Sequence, residues 1–136
     1  MAETIVILAA GPLNVAALAP LAERFELHHI LRADPALVDP ALAARVRGIA
    51  VQGGAGAGFL TLFPALEICA SFGVGYDAVD TACAAAQGVI VTNTPDVLTE
   101  EVADTTIGLL INTLRELPKA EAWLRGIERR IDAGLS

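Results

Sequence analysis

The sequence predicts an α/β fold with a doubly wound parallel sheet, and three observations indicate it. Short apolar, β-branched segments alternate with segments whose apolar residues recur at helical spacing. Turns containing Gly or Pro separate the two kinds of segment. The 136 residues, 54% of them hydrophobic and 18% charged, suffice for one domain with a buried core. Right-handed crossovers place helices on both faces of such a sheet, and five strands fit the flavodoxin-like order 2-1-3-4-5.

The first part of the chain contains two predicted strands, each followed by a predicted helix. Residues 4–9 (TIVILA) form a continuous apolar run, which is typical of a parallel strand buried on both faces. After the Gly11-Pro12 turn, residues 13–25 have the apolar spacing of a helix. Residues 26–30 (ELHHI) predict the second strand, and the Ala- and Leu-rich residues 34–46 predict the second helix.

The middle of the chain repeats this alternation. The third, fourth and fifth strands are predicted at residues 48–51 (GIAV), 66–71 (LEICAS) and 89–92 (VIVT). A glycine-rich turn at 53–58 opens a short helix that continues through Phe63. Residues 79–87 predict a further helix, which Gly88 ends.

The C-terminal segment predicts one long helix over residues 99–133. Thr99 is its expected N-cap, with acidic residues in the first turn. Pro118 predicts a kink, and Gly134 is a suitable C-cap. We expect the whole chain, residues 1–136, to form a single domain with this helix at its end.

Composition excludes several classes of protein. A formal net charge of −7 disfavours nucleic-acid binding, which depends on Lys and Arg neutralising phosphates. No apolar run approaches the roughly 18–20 residues that cross a bilayer. Cys69 and Cys83 match no CxxC or zinc spacing, and His28-His29 point to opposite faces of a strand, so no metal site is expected. The two isolated thiols predict a reducing, cytoplasmic location.

Three loops follow the third, fourth and fifth strands, at residues 53–58, 72–76 and 92–99. Because they fall on the carboxyl edge of the sheet, where open α/β sheets bind ligands, they predict a cradle for a small carboxylate or phosphate. Residues 73–78 also offer the dinucleotide pattern G-x-G-x-x-A, with Asp96 at the spacing of a ribose-binding acid. That turn follows the fourth strand rather than the first, and Asp77 at the helix start would repel a pyrophosphate.

Three segments resemble a known family. They are residues 66–77 (LEICASFGVGYD), residues 88–99 (GVIVTNTPDVLT) and Val102-Ala103-Asp104. With them the chain resembles the NAD(P)-dependent D-isomer-specific 2-hydroxyacid dehydrogenases, most of all the glyoxylate/hydroxypyruvate reductase branch. The resemblance covers roughly residues 4–124 and implies the flavodoxin-like substrate-binding (catalytic) domain of such an oxidoreductase.

The resemblance implies a substrate site at the carboxyl edge. In the family, backbone amides of the S-x-G-V-G-x-D turn hold the substrate carboxylate, and here those amides belong to Val74 and Gly75. The implied substrate-binding residues are Gly53, Gly54, Ala55, Val74, Gly75 and Leu98, and the implied cofactor-facing residues are Val102 and Thr106.

The chain also departs from the family pattern. Family members continue into a nucleotide-binding domain that begins with a strand and a G-x-G-x-x-G turn and supplies the catalytic Arg, Glu and His. No residue here matches those positions, and after Trp123 the sequence diverges from the family. We therefore expect no catalytic residue, no metal and no cofactor bound by this chain alone; NAD(P) is the cofactor of the parent enzyme.

The leading hypothesis is an isolated substrate-binding domain that binds a small 2-oxo acid weakly and is inactive alone. Its partner is the missing nucleotide-binding domain, and the apolar last helix predicts a homodimer, with exchange of that helix as one route. One alternative is a stand-alone flavodoxin-like binding or scaffold module without enzymatic activity. Another is a nucleotide binder that uses residues 73–78.

Overall fold

The chain forms a parallel five-stranded sheet in the order β2-β1-β3-β4-β5, as the sequence predicts. A computed structural model describes residues 4–132, with the backbone alone for 128 and 130–132. The strands are β1 (Val6–Ala10), β2 (Glu26–Ile30), β3 (Val46–Val51), β4 (Ile68–Ser71) and β5 (Ile90–Thr92). All four neighbouring pairs are parallel, so the carboxyl ends of the strands share one edge.

Short helices connect the strands. They are α1 (Val15–Arg24), α2 (Pro40–Ala43), α3 (Ala57–Leu60) and α4 (Thr81–Ala86), with a 3-10 helix at Pro35–Leu37. Side-chain N-caps determine where three of the α-helices begin: Asn14 caps α1, Asp39 caps α2 and Asp80 caps α4. The helix predicted at 79–87 is therefore shorter, and Asp80 rather than Asp77 stands at its start.

One face of the sheet carries the main hydrophobic core. Leu8, Ile49 and Cys69 stand in register on β1, β3 and β4, so their side chains project to the same face. They belong to a buried cluster with residues of α2, α3 and α4, including Ala43, Phe59, Leu60 and Ala84. Phe59 also meets Phe63 edge to face, with ring centroids 5.1 Å apart.

The opposite face is covered less completely. An apolar groove there is lined by Leu13 and by Ala17, Leu18 and Leu21 of α1, together with residues of β3, β4 and β5. Ile68 and Ile90 are paired on this face and remain 38% and 62% exposed. Part of the β4–β5 surface is therefore apolar and accessible.

The chain divides into two compact units, residues 1–97 and 98–136. The second contains α5 (Thr99–Leu114) and α6 (Leu117–Asp132), where the sequence predicts one helix kinked near Pro118. A proline ring within a helix clashes with the carbonyl four residues earlier, but it fits the first helical turn. A new helix, α6, therefore begins at Leu117, with Pro118 in its first turn. Glu116, at the break, has a φ of 50°. Residue 133 and the cap predicted at Gly134 lie outside the described residues.

The start of α5 also differs from the prediction. Leu98 is the N-cap residue and makes no side-chain cap bond, whereas Thr99 is already helical. Glu100 and Glu101 lie in the first turn, where their charges favour the helix dipole. Among the described residues, no helix has both the length and the apolarity to cross a membrane.

Candidate functional site

Hydrogen bonds join the glycine loop after β3 to the turn after β4. The amide of Ala55 donates to Ala78 O, and the amide of Asp80 donates to Ala55 O, both at 2.9 Å. Gly54 packs against the same turn, since a Cβ built there would lie 3.0 Å from Ala78 O. Ala55 is fully buried, and its two backbone hydrogen bonds join the glycine loop to the turn.

The loop after β5 is joined to the same turn. The amide of Thr94 donates to Gly73 O at 3.0 Å, and Asn93 Nδ2 donates to Val74 O at 2.7 Å. The amide of Phe72 donates to Val51 O at 2.7 Å and holds the start of the turn against β3. The carboxyl-edge loops of this unit are thereby held together.

These bonds orient two amides. In a trans peptide the carbonyl of one residue and the N–H of the next point in opposite directions. Bonds accepted by Gly73 O and Val74 O therefore fix the directions of the Val74 and Gly75 N–H groups. None of the described residues accepts a hydrogen bond from either group. Successive free amides of this kind can bind the two oxygens of a carboxylate.

The remaining residues of the predicted substrate site are divided between the units. Gly53 has a φ of 107°, a conformation that side chains rarely adopt, and open space surrounds it. Asp96, in the proline loop, has a φ of 62°. Leu98, Val102 and Thr106 belong to the second unit; the first two are exposed, and Thr106 Oγ1 donates to Val102 O at 2.7 Å.

The turn at 73–78 does not fit a dinucleotide. Pyrophosphate binding needs a helix N-terminus directly behind the glycines, whereas α4 begins only at Thr81. The Asp80 carboxylate already accepts from the amide of Cys83 at 2.8 Å in the first turn of that helix. The exposed Asp77 adds a second negative charge, 3.7 Å from where a Cβ on Gly75 would stand.

The two histidines have hydrogen-bond partners within the fold, and the one described thiol of the sheet is buried. His28 Nε2 lies 3.0 Å from Glu26 Oε1, and His29 Nε2 donates to Gly11 O at 2.8 Å. The hydrogen bond from His28, then that from Arg45, lowers the pKa of Glu26. Burial raises the pKa of Cys69 to about 11, so its thiol is not a nucleophile near neutral pH. Across residues 4–132, no group of three His, Cys, Asp or Glu could hold a metal ion.

The sequence predicts where the loops lie, but it does not predict the hydrogen bond from the Asn93 side chain to the turn. Its place between strand and proline suggests a turn residue, and many turn asparagines bond locally. Here the Asn93 side chain instead reaches a carbonyl 19 residues earlier in the chain. Only the folded arrangement of β4 and β5 shows that partner.

Comparison with known proteins identifies the family. The family model of the D-isomer specific 2-hydroxyacid dehydrogenase, catalytic domain, matches residues 6–131. The chain belongs to this family. The resemblance read from residues 66–77 and 88–99 is therefore confirmed, as is the doubly wound fold. The match continues past Trp123, so the divergence expected after that residue is wrong.

Two crystal structures of one reductase are similar to this chain. A crystal structure of an NADPH-dependent glyoxylate/hydroxypyruvate reductase from Sinorhizobium meliloti, in complex with NADP and malonate, shares 54% identity at a TM-score of 0.83. It covers 98% of this chain, which in turn covers 41% of that structure's chain. A second crystal structure of that reductase contains citrate and has the same identity and TM-score.

Shorter segments match two curated relatives. Glyoxylate/hydroxypyruvate reductase A of Arabidopsis thaliana is 47% identical over 72 residues, which are 53% of this chain and 23% of the relative. Glyoxylate reductase of Pyrococcus horikoshii is 45% identical over 65 residues, which are 48% of this chain and 20% of the relative. The matched segments thus cover about a fifth of each curated relative's length.

Proposed function

We propose that this chain is the substrate-binding domain of a dehydrogenase that reduces glyoxylate or hydroxypyruvate, and that alone it binds such 2-oxo acids weakly without turnover. The observation that carries the proposal is the orientation of the Val74 and Gly75 amides by bonds to Gly73 O and Val74 O. Two N–H groups held in place donate hydrogen bonds to a carboxylate without reorganisation on binding. The similar reductase crystallised with malonate and with citrate, both small carboxylates, supports this ligand class.

The glycine loop contributes to the part of the proposed site that lies within the first unit. Gly53 and Gly54 let the backbone approach a ligand closely, and Ala55 holds that loop against Ala78. Leu98 borders the substrate, and Val102 and Thr106 face the nicotinamide in the parent enzyme, as the family resemblance implies. None of these residues has a catalytic side chain.

Weak binding and lack of turnover follow from the charges and side chains present. Asp77 stands beside Gly75, and its charge opposes that of a bound carboxylate. No Arg or His of the described residues lies in the turn at 72–79 or in the loop at 92–97 to polarise a 2-oxo group. The family resemblance assigns those side chains, and the NAD(P) that supplies hydride, to the nucleotide-binding domain.

We also propose that the chain forms a homodimer, with exchange of the C-terminal helix as one route. Within the second unit, Ile107, Leu110, Ile111 and Leu114 follow helical spacing and are each about half exposed or more. Within the first unit, Ile68 and Ile90 are exposed on the incompletely covered face of the sheet. Association of two copies would remove such surfaces from water.

A backbone amide NMR titration tests the substrate proposal. Glyoxylate is expected to shift the amides of Val74, Gly75 and the glycine loop, whereas NADPH shifts none. Val74→Asp is expected to abolish the response, because it places a carboxylate beside the two amides. Ala65→Asp adds the same charge before β4, at the opposite edge of the sheet, and is expected to retain it.

Three results would contradict the proposal. If the spectrum is that of a folded chain and no amide shifts on addition of glyoxylate, the alternative is favoured, which is a binding or scaffold module without this site. Shifts at residues 73–78 with NADPH would favour a nucleotide binder instead. Turnover of glyoxylate with NADPH by the chain alone would disprove the proposed lack of activity.

A further inference from the structure

The apolar groove beside α1 has the width of one helix. Ala50, Ala70 and Thr92 stand in register on β3, β4 and β5 and form its floor, and α1 forms one wall. The surface over β4 and β5 is two strands wide, about 10 Å, and a helix with its side chains is about 10–12 Å in diameter. Every described residue that lines the groove is uncharged. The groove therefore has the width and the polarity of a site that binds an apolar helix face.

The connections between the strands leave this groove uncovered. From β3 to β4 to β5 the chain moves across the sheet in one direction, so right-handed crossovers place α3 and α4 on the same face. Residues of α2, α3 and α4 accordingly belong to the main core, whereas α1 lines the groove. A helix that covers the groove must come from outside these connections.

Helix α5 carries an apolar stripe of suitable length. The stripe consists of four side chains that are each about half exposed or more: Ile107, Leu110, Ile111 and Leu114. At 1.5 Å per residue it extends for roughly 10 Å along the helix. The open surface on β4 extends from the exposed Ile68 to Phe72, which is roughly 13 Å of strand. The stripe thus fits the length of the open surface.

The position of α5 in the chain disfavours the groove of its own copy. Thr94 is held at the carboxyl edge by its bond to the turn after β4, and α5 begins five residues later, at Thr99. A helix that started at this edge and returned along β5 would cover the groove with its first two turns. Those turns contain Glu100 and Asp104, which are seven and three residues before Ile107 and therefore lie on the same face as the stripe. Burial of two unpaired carboxylates on an uncharged floor is unfavourable.

We propose that the groove binds α5 of a second copy of this chain, with the stripe against the floor, and that two copies make this contact reciprocally. The inference rests on the homodimer proposed above and assigns its contact surfaces. One contact, counting the stripe and the groove surface beneath it, buries on the order of 500 Å². Specific interfaces bury at least about 1,000 Å², which two symmetry-related contacts reach and one does not.

Cross-linking of the full chain tests this inference. Thr92→Cys places a thiol on the floor and Leu110→Cys places one in the stripe, both at exposed side chains. In an equal mixture of these two variants, a short bismaleimide is expected to join position 92 of one copy to position 110 of the other. Thr105→Cys, on the opposite side of α5, replaces Leu110→Cys in the control and is expected to give at least about 10-fold less of this product. Cys69 and Cys83 are present in both mixtures, so the comparison isolates the introduced thiols.

A charge on the floor provides a second test. Thr92→Glu is expected to raise the dissociation constant of the dimer about 10-fold or more in sedimentation velocity, because the contact would bury an unpaired carboxylate. Thr81→Glu adds the same charge in the first turn of α4, which packs on the other face, and is expected to leave the dimer unchanged.

Three outcomes would overturn the inference, and they differ in what remains. In a chain with both Thr92→Cys and Leu110→Cys, a link within one monomer would show that α5 covers the groove of its own copy. A dimer that gives no link between these positions and withstands Thr92→Glu would retain the homodimer and exclude these contact surfaces. A monomer at every concentration would disprove the homodimer and the inference together. Glyoxylate shifts at Val74 and Gly75 would still test the substrate site in each case.

Discussion

Gly11 shows how a single residue shapes the carboxyl edge of the sheet. It has a φ of 110°, and its carbonyl accepts hydrogen bonds from the Leu13 amide and from His29 Nε2. A Cβ at this position would lie 2.3 Å from the backbone oxygen of Gln52. Glycine is therefore required twice, for its backbone angle and for the close approach of β3.

Gly11→Ala is expected to lower the free energy of unfolding by about 2 kcal/mol or more, through backbone strain and displacement of Gln52. Gly58→Ala is the matched control, because its Cβ would meet nothing within 4 Å and the residue lies in α3. It is expected to be neutral or to stabilise the fold by up to about 1 kcal/mol. Urea unfolding followed by circular dichroism measures both. Equal effects would contradict the close contact at Gly11.

Burial of Cys69 makes stability depend on pH in the alkaline range. Its pKa is raised from 9.0 to about 11 because burial disfavours the thiolate. Above about pH 9 the unfolded chain loses this proton while the folded chain keeps it. The free energy of unfolding therefore falls as the pH rises from about 9 toward 11, and the contribution is complete below pH 9.

Urea unfolding of the chain and of Cys69→Ala at pH 7.5, 9 and 10.5 tests this prediction. Other groups that titrate in the alkaline range are common to both proteins, so the difference between the two curves isolates Cys69. The unaltered chain is expected to lose more stability with rising pH than the variant. Parallel loss in both would show that the thiol is not desolvated in the folded state.

At the scale of elements, two asparagines make hydrogen bonds with different consequences. Asn14 caps α1 by accepting from the Ala16 amide at 2.8 Å, whereas Asn93 joins the loop after β5 to Val74 O. Asn14→Ala is expected to lower the free energy of unfolding by about 1 kcal/mol and to leave glyoxylate binding unchanged. Asn93→Ala is expected to lower stability by roughly 0.5–1.5 kcal/mol and also to weaken glyoxylate binding, because the Gly75 amide loses its fixed direction.

Thermal unfolding and the glyoxylate titration, performed on both variants, separate the two roles. A loss of binding in Asn14→Ala would mean that the titration reports general loosening of the fold. Unchanged binding in Asn93→Ala would show that the Thr94 bond alone fixes the turn.

The sequence predicted the strands better than the helices. Apolar runs such as residues 4–9 identify buried parallel strands directly, and each observed strand lies within about two residues of its prediction. The Ala-rich residues 34–46 instead form a 3-10 helix and the four-residue α2, because Asp39 and Pro40 start a new helix within the segment. Helical composition alone does not show where tertiary packing ends a helix.

The positions of the three carboxyl-edge loops were predicted, but the hydrogen bonds between those loops were not. Parallel strands bring their carboxyl ends to one edge whatever their sequence, so the three loops could be placed together in advance. The bonds of Asn93 and Thr94 to the turn depend on the spacing of β4 and β5 and have no local signature.

At the scale of the whole molecule, exposed apolar surface on α5 is the property that bears on association between chains. In the second unit, Ile107, Leu110, Ile111 and Leu114 are 57%, 56%, 49% and 71% exposed, and α5 has no buried residue. These four side chains form an apolar stripe along α5. A helix with such an exposed stripe gains stability when another surface covers it. This stripe accounts for the proposed homodimer.

Sedimentation velocity is expected to show a species of twice the 14.1 kDa mass of one chain, increasing with concentration. Leu110→Glu places a charge in the middle of the stripe and is expected to shift the equilibrium toward monomer, since burying an unpaired carboxylate is unfavourable. Thr105→Glu adds the same charge on the opposite side of α5 and is expected to leave the dimer intact. A monomeric mass at every concentration would disprove the homodimer. A dimer that withstands Leu110→Glu would mean that the contact uses another surface, for which the exposed Ile68 and Ile90 of the first unit are the next candidates.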